Sequence, residues 1–178
     1  VRKMHTSRRD AFQTIGSDFL GTVSYPSLTV KLSPSVVKRD TSELILKDHL
    51  EEKCGIVWYY PGMSVEILSA WKGYKGIVLA GTGLGHAGTD IISRIKEMND
   101  SGTLFVMTSQ CLKGRVCDRV YDTGRDLLNA GVIEGEDMLP EVTLVKLMWV
   151  LGNSKSPQEA RELMKENLAG EMTRRSSV

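Results

Sequence analysis

The sequence predicts an α/β domain, a parallel sheet carrying helices on both faces in three layers, and three observations support that reading. Ile56 to Tyr60, Gly76 to Ala80 and Leu104 to Thr108 are continuous apolar runs, each stopped at once by Pro61-Gly62, by Gly81 or by Ser109-Gln110. Runs of this length, rich in β-branched and aromatic residues, suit strands buried on both faces. Segments of helical spacing lie between them, and strand-helix-strand-helix-strand is the order of parallel strands joined by right-handed crossovers.

Taken in order, the opening VRKMHTSRRDAF reads as a continuation. It has no initiator Met, starts on a strand-like Val1 and gathers Arg2, Lys3, Arg8 and Arg9. We expect residues 1–50 to be the end of a preceding domain, a remnant strand plus a linker. Within them Thr22-Val23 and Leu28 to Leu32 alternate weakly around Tyr25-Pro26-Ser27, which predicts a short hairpin. Ser33-Pro34-Ser35 breaks it, and the charged residues from Lys38 to Lys53 suit a solvated connector or a peripheral helix.

The expected domain spans 51–170. Ser64 can cap a helix carrying Val65, Ile67, Leu68 and Trp71, and Thr89 one carrying Ile91, Ile92, Ile95 and Met98. Thr123 to Ala130 is a helix closed by Gly131. Pro140 stands at a plausible first helical position, and Glu141 to Leu151 is apolar almost all round, so burial is expected. Ser156-Pro157-Gln158-Glu159 forms a capping box for a last helix with Ala160, Leu163, Met164 and Leu168, ended by Gly170. Residues 171–178 are expected to be a flexible tail, polar and frayed from Met172 onward.

Composition narrows the function classes. With 41% hydrophobic and 25% charged residues and a net charge of +1, the chain offers no general electrostatic case for nucleic acid, although its opening is locally basic. The longest apolar runs fall far short of a membrane span. Cys54, Cys111 and Cys117 are odd in number and lack CxxC spacing, which argues against a disulfide framework or a zinc site and for reduced cytosolic thiols.

Gly81-Thr82-Gly83-Leu84-Gly85-His86 sits between a buried strand and a helix. Its sixth position is His rather than Gly, and Gly-Lys-Ser/Thr is missing, so it is neither a dinucleotide fingerprint nor a P-loop. A ligand-facing loop at the carboxyl end of a strand and a plain tight turn remain equally open. His86, placed at the tip of that loop, is the histidine suited to a polar role. Ser109 has no His or Asp in a triad pattern, and Cys111 lacks a nucleophile's setting. The charge-alternating loop Gly114 to Asp122 reads either as solvated or as a lid bringing Tyr121 and Asp122 to a ligand. No metal cluster, paired carboxylates or nucleophile with its base can be assembled.

Five segments in order, Tyr60 to Gly62 (YPG), Gly76 to His86 (GIVLAGTGLGH), Thr108 to Val116 (TSQCLKGRV), Val120 to Ile133 (VYDTGRDLLNAGVI) and Glu136 to Gly152 (EDMLPEVTLVKLMWVLG), resemble the carboxyl-terminal domain of the L-asparaginase family. The opening VRKMHTSRRDAF and MWVLG resemble more specifically the branch formed by the D subunits of archaeal glutamyl-tRNA(Gln) amidotransferases. The resemblance implies a two-domain α/β parent whose amino-terminal domain carries a Thr nucleophile with Thr, Asp and Lys partners. None of those motifs occurs here, so no catalytic residue is expected in this chain, and the chain alone should be inactive. It further implies a homodimer through this domain, in which the loop of Gly81, Gly83 and Gly85 presents His86 to the neighbouring subunit's active site. Several asparaginases have Asn at that position, and an acid of some relatives falls near Tyr121 and Asp122. The implied parent is cytoplasmic and releases ammonia from glutamine. The E subunit of the amidotransferase then uses that ammonia with ATP and Mg to convert Glu-tRNA(Gln) to Gln-tRNA(Gln), no cofactor being held by this chain. Two alternatives stand beside it, a stand-alone cytosolic L-asparaginase and a non-catalytic dimerisation or docking domain.

Overall fold

The computed structural model describes residues 2–4, 6–8 and 10–173. The expected strand position Val1, Arg9 of the basic cluster and residues 174–178 of the tail lie outside the described residues. One compact unit runs to Leu46 and a second begins at Lys47.

In the first unit β1 (Arg2–Lys3) pairs antiparallel with β2 (Phe12–Gln13). The expected hairpin is present, β3 (Gly21–Ser24) against β4 (Thr29–Leu32), with Val23 opposite Val30. No helix forms from Lys38 to Lys53, so the connector, not the peripheral helix, is what the chain adopts.

The second unit contains β5 (Cys54–Trp58), β6 (Gly76–Gly81), β7 (Leu104–Ser109) and β8 (Ile133–Glu134), all parallel in that spatial order. Side chains alternate across the strands, which sorts the core into two halves. Ile77, Leu79, Phe105 and Met107 pack with Leu68 of α1 (Glu66–Ser69), Ile91 and Ile95 of α2 (Thr89–Asp100) and Leu127 of α3 (Asp122–Asn129). Val78, Val106 and Ile133 pack with Leu147 and Val150 of α4 (Pro140–Asn153) and Met164 of α5 (Pro157–Lys165). That is the three-layer α/β arrangement.

Several boundaries differ from expectation for local reasons. The first strand stops at Trp58, so Tyr59 and Tyr60 lead out of the sheet. α1 is a single turn beyond which Trp71 is held by a bond from its N–H to Leu68 O; Ser64 Oγ accepts from Glu66 N–H at 3.3 Å. Gly88, extended at φ −67° and ψ 152°, is the N-cap of α2, which makes Thr89 the first helical residue rather than the cap. α4 is not buried all round, because Val145 is 62% exposed on the side away from the sheet. At α5 Ser156 Oγ accepts from Glu159 N–H at 3.2 Å, but the Glu159 carboxylate reaches Lys155 N–H instead of closing the box. The helix ends at Lys165, well before Gly170, because Glu166 is extended.

Of the tail, the described Met172 and Thr173 are docked where fraying was expected. Met172 is buried, Thr173 N–H and Oγ1 donate to the Asp137 carboxylate, and Arg115 Nη2 donates to Thr173 O at 2.6 Å. Before it, Lys146 Nζ lies 2.6 Å from a Glu171 carboxylate oxygen and also donates to Glu166 O. Burial alone pushes the Glu171 carboxyl up, but the Lys146 ammonium and the Leu168 and Ala169 amides outweigh it and hold the pKa at about 2. The folded value lies below the ordinary 4.5, so this carboxylate contributes its full stability above pH 4.5 and loses it as the pH falls towards 2. Thermal melts across that window should therefore show a falling Tm that Glu171→Gln flattens. An equal slope in the variant would place the acid sensitivity elsewhere.

Candidate functional site

Chains leaving parallel strands emerge at one end of a sheet, and here those exits meet in a rim. After β6 the chain turns sharply, Thr82 N–H donating to His86 O at 2.9 Å and His86 N–H to Thr82 O at 2.8 Å. Closing so small a loop requires left-handed backbone at Gly83 (φ 54°) and Gly85 (φ 106°), which glycine adopts without steric cost. The tip is therefore Gly83-Leu84. His86, expected at the tip, instead sits at the base, where its backbone closes the loop.

The His86 ring is half-buried and meets the Tyr121 ring edge-on, 4.6 Å between centroids and 69° between planes. Its Nδ1 is 3.2 Å from Thr123 Oγ1, so one of those two atoms donates to the other according to the tautomer. The structure thus brings together His86 and Tyr121 and adds Thr123, which the sequence did not single out. Asp122 does not join them. Its side chain is 93% exposed and pairs with Arg125 Nη2 at 2.5 Å.

The next loop clamps the glycine loop. Ser109 Oγ donates to Gly83 O at 2.5 Å and accepts from Cys111 N–H at 3.0 Å, which makes it a clasp rather than a nucleophile. Cys117 N–H donates to Leu84 O at 2.8 Å. Gln110 Nε2 bridges Tyr59 O and Ala80 O at 2.6 and 2.8 Å, tying the ends of β5 and β6 to the same loop. The residues from Gly114 to Asp122 are therefore pinned to the glycine loop at Cys117. At the start of α2, Asp90 already supplies the negative charge that the helix amino terminus favours.

Beneath the rim lies a group that sequence reasoning missed. Asp118 is fully buried, and neither of its carboxylate oxygens has a hydrogen-bond partner among the described residues. Burial, and then the charge of Glu134, push its pKa up to about 7. No sequence signal marked it, because an Asp between Cys117 and Arg119 has the composition of a solvated loop.

Chemically the rim can donate or accept hydrogen bonds through His86, Tyr121 and Thr123. Among the described residues no group of three or more His, Cys, Asp or Glu could hold a metal ion, and no helix is long and apolar enough to cross a membrane.

Residues 53–164 match the model of the glutaminase/asparaginase C-terminal domain. The chain is 55% identical to the D subunit of the glutamyl-tRNA(Gln) amidotransferase of Archaeoglobus fulgidus, over 97% of its own length and 41% of that protein's. It is 50% identical to the corresponding D subunit of Methanosarcina barkeri, over 98% of this chain and 42% of the other. It therefore spans about two fifths of the length of these curated relatives. Among solved structures, the thermostable L-asparaginase of Thermococcus kodakarensis superposes with a TM-score of 0.85 at 34% identity, over 96% of this chain and 52% of that one. The two-sided parallel sheet, the clamped glycine loop and the family match lead to one statement of kinship: this chain belongs to the glutaminase/asparaginase C-terminal domain family.

Proposed function

We propose that this chain is the carboxyl-terminal part of an ammonia-generating glutaminase, one that serves a tRNA-dependent amidotransferase converting Glu-tRNA(Gln) to Gln-tRNA(Gln). The observation that carries the proposal is the 55% identity to an amidotransferase D subunit sustained over 97% of the chain. In this reading residues 1–50 end the preceding asparaginase-type domain and its linker, and residues 51–170 form the rim-bearing domain. The preceding domain supplies a Thr nucleophile that takes the acyl group of glutamine, with an oxyanion hole for the developing charge and ammonia as the leaving group. This chain supplies no reacting atom. It dimerises, and His86 and Tyr121 face the amide substrate bound by its neighbour in the dimer, His86 donating a hydrogen bond to the substrate's α-carboxylate. The E subunit of the amidotransferase is the partner that uses ATP and Mg, and the assembly works in the cytoplasm.

The superposition on an L-asparaginase at a TM-score of 0.85 favours a second reading, a stand-alone asparaginase with the same chemistry. One set of assays separates the readings. The 178-residue chain alone should release no ammonia from glutamine or asparagine above a boiled control. Joined to a preceding asparaginase-type domain it should release ammonia from glutamine and, with the E subunit and ATP, form Gln-tRNA(Gln). Strong asparagine hydrolysis without transfer to tRNA establishes the second reading, and ammonia release by the chain alone defeats both.

A further inference from the structure

The two halves of the rim come from separate parts of the chain. His86 belongs to the glycine loop, whereas Tyr121 and Thr123 belong to the start of α3. Asp118 stands where these parts meet. A Cβ on Gly85 would lie 3.0 Å from Asp118 Oδ1, and one on Gly124 only 2.2 Å from Asp118 O, so both elements close directly onto this residue. Asp118 N–H donates to Glu134 Oε1 of β8 at 3.1 Å, and the preceding Cys117 N–H holds Leu84 O. The carboxyl group itself is sealed from solvent, with both oxygens unpartnered among the described residues. A carboxylate in that position has lost its water and gained no donor, a far costlier state than the neutral acid.

We infer that Asp118 is a positioning residue which joins the glycine loop to the start of α3 as an un-ionised carboxylic acid, and so keeps His86 against Tyr121. It deepens the proposed reading of the rim and rests on that reading for its catalytic meaning. The titratable and charged groups on the elements around it are Glu134 on β8, His86 on the glycine loop, the paired Asp122 and Arg125 together with Asp126 on α3, and Arg115, Cys117, Arg119 and Tyr121 on its own loop. Of these, Glu134 is the group whose charge bears on Asp118, with burial the larger influence, and together they hold its pKa at about 7. Arg119 is spent on Glu134, its Nη2 lying 3.4 Å from Glu134 Oε2, and is 79% exposed.

The sign of the pH dependence follows. Closed, the acid keeps its proton up to about pH 7; opened to water it returns towards its ordinary 3.8. Opening therefore releases a proton between those two values and becomes about tenfold more frequent per pH unit there, with no slope on either side.

The test is hydrogen–deuterium exchange on the 178-residue chain, following residues 82–88 and 117–124 and correcting for intrinsic base catalysis. Protection should fall about tenfold per unit from about pH 4 to about pH 7 and then level off, while Asp118→Asn, similar in shape but unable to ionise, should be flat. A role in filling space alone predicts the same slope in both proteins. A flat profile in the unsubstituted chain, or a retained slope in Asp118→Asn, overturns the inference. If Asp118→Asn does not fold, ¹³C titration of the Asp118 carboxyl in the unsubstituted chain decides, with a midpoint near 7 supporting it and one near 3.8 overturning it. None of these measurements uses turnover, so a failed inference and a failed amidotransferase reading give different results.

Discussion

Gly124→Ala should destabilise the domain by about 2 kcal/mol, an overlap penalty of about 3 less the roughly 1 that Ala gains over Gly inside a helix. Gly124 lies in the first turn of α3, where a Cβ would stand 2.2 Å from Asp118 O and 2.7 Å from both its carbonyl carbon and its Cα. Those are backbone atoms pinned by the Asp118–Glu134 hydrogen bond, so no side-chain rotation relieves the overlap. The helix start must retreat and carry Tyr121 and Thr123 away from His86. For a domain of this size the Tm should fall by roughly 4–8 °C. Gly83→Ala is the control: nothing lies within 4 Å of its Cβ, so only the left-handed backbone is strained, at about 1–2 kcal/mol. If Gly124→Ala melts at or above the parent's temperature, the close packing of α3 on Asp118 is wrong.

His86→Ala, in the longer protein that the proposed function requires, should lower kcat/KM for the amide by roughly 5- to 150-fold, the loss of one hydrogen bond to a charged group at about 1–3 kcal/mol. Stability should change less, by about 1 kcal/mol or below, because the ring is half-buried and its bond to Thr123 is partly solvated. His86→Asn keeps a donor near the same place and should recover part of the activity. A residue serving only to pack would give the opposite pattern, a lowered Tm with unchanged kinetic constants, and that result would remove His86 from the site.

Much of the sheet was legible because β6 and β7 are buried on both faces and so read as unbroken apolar runs, whereas β5, at the sheet edge, buries one face and leaves Trp58 exposed yet still carries an apolar run. The start of α5 was legible through Ser156, whose hydroxyl satisfies a helix amide within one turn. Such features depend on neighbours a few residues away, which is what periodicity and capping record. β8 was missed because its two residues, Ile133 and Glu134, are strand only by pairing with Val106 and Met107. Leu163 and Met164 marked α5, yet the helix stopped at Lys165 because Glu166 turns extended, with its carbonyl accepting from Lys146 twenty residues away.

The sequence by itself determined the α/β class, the order of its long strands and helices, the glycine loop at a strand's carboxyl end and the family to which the chain belongs. Tertiary structure alone decided which polar residues form the rim. It set His86 at the base of its loop against Tyr121 and Thr123, left Asp122 in solvent with Arg125, turned Ser109 into a clasp, and buried the Asp118 carboxyl without a hydrogen-bond partner among the described residues. The physical reason is that an apolar residue declares its burial through local pattern, because the hydrophobic effect acts on it wherever the chain folds. A polar residue's exposure, partner and protonation are set by whichever distant segments close over it, and the local pattern carries no record of those.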